Sequence, residues 1–224
     1  VISTKKELYD FILKVEGKIF INQEDKLLND IVPKSVPHIT YGEQERSYIF
    51  GELTELTPFV HLKWKTNKYV SPIIKTKLVG KYNFTNFLAA IAVGLYLNVD
   101  RNKINKSLTD YKPSNNRSQV TVTKNNTIIV DCYNANPSSM FSALESFKEI
   151  ENGNKIAILG DMLELGDISQ LEHQKTVDYL EEHALTAFLV GPEFEKTNTN
   201  NNVYNFFILK IFINFFVNLN KKKL

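Results

Sequence analysis

With 224 residues, 43% of them hydrophobic and 23% charged, the chain has the length of one large or two modest domains and the composition of an ordinary soluble globular protein. A net charge of +2 gives no ground for a nucleic-acid partner, because part of it sits in Lys221-Lys222-Lys223 and the rest is mixed with acids along helices. The single cysteine, Cys132, excludes an internal disulfide and suits a reducing compartment.

Thr4 to Val15 carries Leu8, Phe11, Ile12 and Val15 at three- and four-residue spacing, which predicts an amphipathic helix stopped by Gly17. Its Lys5, Lys6 and Glu7 give no amino-terminal signal pattern. Lys18 to Asn22 predicts a short strand, Glu24 to Ile31 a short helix, and Val32 to Pro37 a loop. Between His38 and Tyr69 the β-branched and aromatic runs at 39–41, 48–50 and 60–64 predict strands, read as an antiparallel addition at a domain edge. Phe87 to Leu95 is apolar nearly all round and predicts a buried helix, followed by a second helix from about Asn102 to Tyr111. The polar stretch Lys112 to Ser118 marks the domain boundary, dividing the chain into 1–114 and 115–224.

Beyond it, Gln119–Thr123 and Thr127–Val130 predict a hairpin around Lys124-Asn125-Asn126. Asn136 before Pro137 predicts a capped helix start, with Met140, Leu144 and Phe147 as its apolar stripe. Lys155–Leu159 and Ala187–Val190 predict strands, and Ser169 to Glu172 has capping-box spacing for a helix reaching about His183. Strands alternating with helices predict an α/β fold with a parallel sheet. The apolar tail from Phe206 to Val217 is interrupted by Lys210 and Asn214. It is shorter than the roughly 20 residues a membrane span needs, so it reads as a buried amphipathic helix.

The two stretches around which the chemistry gathers are Asp131 to Pro137, after the apolar Ile128-Ile129-Val130, and Gly160 to Gly166, after Ile156 to Leu159. Each reads as a buried strand that opens at its carboxyl end into polar residues, where open α/β sheets hold ligands.

Together these stretches resemble the Mur ligases, ATP-dependent amide-forming enzymes of peptidoglycan synthesis. The family's Asp-x-Tyr-Asn-Ala-Asn-Pro-x-Ser-Met signature stands at Asp131 to Met140, and its Gly-Asp-Met-x-Glu-Leu-Gly loop at Gly160 to Gly166, with His173 in the helix beyond. Its adenine-contacting pattern appears as Gly80, Tyr82, Asn83 and Asn86, with tyrosine where histidine is more usual. The resemblance implies the fold: the later part of a central ATP-binding domain, followed by a Rossmann-like carboxy-terminal domain truncated at its end. It implies a bacterial cytoplasmic setting, a monomeric parent enzyme, ATP and magnesium, UDP-N-acetylmuramoyl-tripeptide as the acid, and D-alanyl-D-alanine as the amine. A carboxylate resists attack by an amine, so such a ligase first makes an acyl phosphate, and the protein must align the reactants and neutralise phosphate charge.

The resemblance also implies roles for particular residues, each weighed against a plainer reading. Lys5 falls where the family carries a carbamate-forming lysine, a hard-oxygen ligand for magnesium, against a solvated helix lysine. Asn83 and Asn86, three apart at a helix start, put two amides within reach of a purine edge, against helix capping. Arg117 offers a fork for phosphate or ribose oxygens, and Asp131 a group to hold the nucleotide or orient Arg117; a loop arginine and a loop-bonding acid are the alternatives. Asn134 and Asn136 could hold substrate peptide groups, and Asp161 and Glu164 could shape the D-alanyl-D-alanine pocket, against a cap and turn-forming acids. His173 reads as a packing residue.

No Gly-x-x-Gly-Lys-Thr phosphate loop occurs in the chain, and the family's metal-binding Glu and His, its uridine-binding domain and its Lys-Gly-Ser-Arg stretch have no counterpart. The resemblance therefore implies a fragment that is inactive alone and has an exposed sheet edge that limits its solubility. The competing functions are a sister amide ligase and a non-catalytic nucleotide- or partner-binding module.

Overall fold

The computed structural model describes residues 2–56, 59–113, 118–132, 134–150, 154–200 and 203–206. The chain divides into two compact units, Val1–Val130 and Asp131–Leu224. The hairpin that follows the boundary expected after residue 114 lies at the end of the first of these units, and Ser118 ahead of it bonds to Asn83.

The first unit opens with helix α1 (Ile2–Lys14), strand β1 (Ile19–Asn22) and helix α2 (Lys26–Ile31), the last capped by the Asp25 carboxylate. Strands β2 (His38–Gly42), β3 (Ile49–Glu55), β4 (His61–Thr66), β5 (Tyr69–Val70) and β6 (Ile74–Lys75) follow. They form one sheet in the order β1-β2-β3-β4-β5, with β6 also on β4. Strands β1, β2 and β3 run parallel, and only β4, β5 and β6 are antiparallel additions. This corrects the reading of 38–69 as wholly antiparallel. The β2–β3 pairing is confined to two register positions, Tyr41 with Ile49 and Gly42 with Phe50, so the chain steps sideways and runs on instead of folding back.

Helices α3 (Tyr82–Tyr96) and α4 (Arg101–Asp110) cover one face of this sheet. Phe84, Phe87, Leu88 and Ile91 of α3 pack with Ile49, Leu62, Trp64 and Ile74 in the main core. Each such side chain contributes about 1.5–3 kcal/mol through burial. Strand alternation sends Ile19 and Ile21 to the opposite face, where they meet Tyr9, Val36 and the half-buried Ile12. The expected helix of α1 is therefore present, but its apolar stripe is not buried as expected. Leu8, Phe11 and Val15 are exposed, because the small second core reaches only Tyr9 and Ile12. Strands β7 (Gln119–Val122) and β8 (Thr127–Val130) make the predicted hairpin, paired only with each other among the described residues. Strand β8 is thus not the buried strand expected before Asp131, and Ile128 lies open to solvent.

In the second unit helix α5 (Pro137–Lys148), strand β9 (Ile156–Gly160), helix α6 (Ser169–Glu182), strand β10 (Thr186–Val190), the short helix α7 (Pro192–Glu195) and strand β11 (Val203–Phe206) alternate. Strands β9 and β11 flank β10 in a parallel sheet, as strand-helix alternation requires. One face packs Ala157, Ala187 and Leu189 against Met140 and Leu144 of α5 and Val177 and Leu180 of α6. Alternation leaves Ile156 and Ile158 outward and exposed. The Lys155 ammonium closes the end of α5 by donating to the carbonyls of Lys148 at 2.8 Å and Ile150 at 2.9 Å. The capping box expected at Ser169 does not form: Ile168 holds the cap position after a 3-10 turn at Gly166–Ile168, and Ser169 is already helical. The expected apolar helix of the tail lies outside the described residues.

Gly51 lets α3 approach the sheet closely. A β-carbon there would stand 2.5 Å from Leu88 Cδ2 and 2.8 Å from Phe84 Cζ, both in the core. Gly51→Ala is expected to cost about 2 kcal/mol by overpacking, seen as a lower urea midpoint at unchanged denaturant slope.

Candidate functional site

Each unit presents its own polar surface. In the first, the turn before α3 and the start of β7 converge. Asn83 is buried, and its amide nitrogen donates to the Val79 carbonyl at 2.7 Å and to Ser118 Oγ at 3.1 Å. Its Oδ1 accepts from the Asn86 amide at 3.2 Å. The bonding capacity of Asn83 is therefore largely met inside the protein. Asn86 is exposed, with its amide nitrogen turned to Asn83, so its carbonyl oxygen is the acceptor left to face outward. Neither residue caps α3: the cap position belongs to Lys81, which makes no side-chain cap bond. Ser118 is 2% exposed and holds a left-handed φ of 49°, and its hydroxyl also meets the Tyr82 hydroxyl. The tyrosine at the family's usual histidine position thus joins the same network. Sequence reading gave Ser118 no role, and its only signal was its place beside Arg117. Arg117 itself lies outside the described residues.

Lys5 stands exposed on α1. As a carbamate it would supply oxygen ligands to magnesium, which takes roughly six at near-octahedral geometry. The described residues do not fit such a site on their own, since none group three His, Cys, Asp or Glu for a metal.

In the second unit Asp131 and Asn134 are exposed in the segment leading to α5. Asn136 is the cap of that helix: its Oδ1 accepts from the Ser139 backbone amide at 3.0 Å, and its own backbone N–H donates to Ser139 Oγ at 3.1 Å. The cap thus uses Asn136 Oδ1, and both Asn134 and Asn136 are exposed, so either side-chain amide nitrogen can face a ligand.

The loop after β9 separates its two acids. Asp161 is inward, and its two carboxylate oxygens accept from the Glu193 and Phe194 amides of α7, each at 3.0 Å. Gly191, at φ +135°, makes this possible, because a β-carbon at that position would overlap the Asp161 carboxylate. Glu164 is exposed, adopts φ +65°, and makes no hydrogen bond or ion pair among the described residues. Beneath the loop lies His173, fully buried, its ring nearly perpendicular to that of Phe194. Glu193 in turn accepts from Ser169 Oγ at 2.9 Å and pairs with Lys196. The Lys196 contact first, and the Ser169 hydroxyl second, hold its carboxyl below the usual carboxylate range.

Residues 1–94 match the Mur ligase middle domain, and residues 116–204 match the Mur ligase glutamate ligase domain. The chain is 32% identical over 168 residues to the UDP-N-acetylmuramoyl-tripeptide–D-alanyl-D-alanine ligase of Bacillus subtilis, covering 73% of this chain and 35% of that protein. It is 36% identical to the ligase of the same name from Treponema pallidum, covering 54% of this chain and 26% of that one. The crystal structure of MurF from Acinetobacter baumannii superimposes with a TM-score of 0.82 at 27% identity, over 98% of this chain and 48% of that one. The chain thus spans about a third of the length of the Bacillus relative and about half of the solved one.

The two acids of the loop are expected to respond in opposite ways. Asp161→Ala strips two amides of a buried carboxylate acceptor and should lower stability by about 2 kcal/mol. Glu164→Gly relieves a left-handed backbone and should raise stability by about 0.5–1 kcal/mol. Thermal unfolding of the two variants checks both signs.

Proposed function

The chain belongs to the Mur ligase family, carrying residues of its middle and carboxy-terminal domains, and on that premise we propose that it serves ATP-dependent joining of D-alanyl-D-alanine to UDP-N-acetylmuramoyl-tripeptide in the bacterial cytoplasm. The observation that carries the reading is the 32% identity to a ligase of that name over 168 residues reaching across both units.

The reaction has two halves. The tripeptide carboxylate takes the terminal phosphoryl group of ATP, giving an acyl phosphate and ADP. The amine of D-alanyl-D-alanine then attacks the acyl carbon, phosphate leaves, and the amine gives up a proton as the amide forms. In this reading the outward carbonyl of Asn86 accepts from the amino group of adenine, and Asn83 holds Asn86 in place through its bonds to Val79 and Ser118. Arg117 is assigned to phosphate charge and Asp131 to the nucleotide. Asn134 offers its amide to peptide groups of the acid substrate, and Glu164 faces the amine substrate. Asp161 acts through its hold on α7 and not by touching substrate.

Phosphate release tests the reading, with this chain and with a longer polypeptide that adds the sequence encoded upstream and downstream. Release by the longer polypeptide, dependent on ATP and on both UDP-N-acetylmuramoyl-tripeptide and D-alanyl-D-alanine, is expected. Absence of release from a folded longer polypeptide overturns it. In the active protein Asn86→Ala should raise KM for ATP about tenfold, the equivalent of about 1.4 kcal/mol, and leave KM for D-alanyl-D-alanine unchanged.

A further inference from the structure

We propose that His173 is a positioning residue for the amine substrate: its buried ring fixes the backbone of the 161–166 loop so that Leu163 and Glu164 are held outward as a preset contact for a small zwitterionic dipeptide. The inference rests on the functional reading above for the identity of the ligand, but not for the geometry.

The ring is fully buried and both of its nitrogens are used. Nε2 accepts from the Met162 amide at 3.0 Å, so Nδ1 carries the proton and donates to the Ser169 carbonyl at 2.7 Å. Those two bonds select one tautomer and tie the end of β9 to the first turn of α6. Asp161, next to Met162, ties the same segment to α7 through the Glu193 and Phe194 amides. The loop base is thereby bound to two helices.

The tip is different. Met162 is 1% exposed and Leu165 is half-buried against the same core, whereas Leu163, between them, is 72% exposed. Glu164 adds a left-handed backbone without being glycine. An outlier of this kind persists only where its surroundings over-determine it, and here the surroundings are the two anchored neighbours. Among the described residues Leu163 takes no part in the core and the Glu164 carboxylate makes no hydrogen bond or ion pair. Together they match a ligand bearing an ammonium group next to small apolar side chains. Because the tip is already fixed, binding does not have to order it.

The test uses the longer polypeptide described above. His173→Ala is expected to raise KM for D-alanyl-D-alanine about tenfold while KM for ATP and for UDP-N-acetylmuramoyl-tripeptide stay within twofold. His173→Gln, whose amide can accept from Met162 and donate towards Ser169, should restore most of the loss. Hydrogen exchange at the Met162 amide gives a readout independent of activity: fast in His173→Ala, slow in the parent and in His173→Gln. Glu164→Ala, which leaves the core untouched, should raise KM for the dipeptide alone, and covers the case in which His173→Ala does not fold. A uniform shift of all three KM values, unchanged Met162 exchange, or an unchanged dipeptide KM in Glu164→Ala overturns the proposal. Failure of the parent to release phosphate sinks the functional reading instead, and with it the identity of the ligand, while Met162 exchange still decides whether His173 fixes the loop.

Discussion

A polar side chain carried below the surface has to find its hydrogen bonds in the protein, and both units are arranged around that constraint. In the first unit the group is Asn83, whose bonds reach the turn before α3, the start of β7 and its neighbour Asn86. In the second it is the pair Asp161 and His173, which bind the loop after β9 to α6 and α7. In each case the buried member is spent on the fold, and a second residue close by in sequence is left facing water. The proposed ligand contacts fall to that second residue: Asn86 in one unit, Glu164 in the other.

This division of labour explains what was legible in the sequence. The spacing of Asn83 and Asn86 marks a polar pair at a helix start, and the acids at 161 and 164 mark a loop. Spacing alone does not say which member is buried. That depends on Ser118 for the first pair and on the amides of Glu193 and Phe194 for the second, partners more than thirty residues away along the chain. Asn136 is the opposite case. Its cap and the proline after it are local, and the expected geometry forms as read.

The same contrast between local and distant causes runs through the fold. Helices α3 and α5 and the hairpin of β7 and β8 follow from period and turn chemistry, which neighbouring residues settle. Strand direction in the first sheet does not, because whether β2 and β3 run parallel depends on how the short segment between them steps across the sheet. The apolar stripe of α1 is another instance: Leu8, Phe11 and Val15 form a face at helical period, yet the core they could join extends only to Tyr9 and Ile12. The cap at Ser169 was outcompeted, since its hydroxyl is drawn to Glu193 on α7 while a 3-10 turn already leads into the helix.

The place of the missing β-carbon of Gly191, filled by the Asp161 carboxylate, joins two distant positions into one genetic unit. Any side chain there takes the place of the Asp161 carboxylate, so its effect is that of losing Asp161 although residue 161 is unchanged. Effects at 161 and 191 will not add, because the second change finds the contact already gone. In a lineage of such proteins the aspartate and the glycine are therefore epistatic: each constrains substitution at the other across a helix and a strand, and neither is free to drift alone.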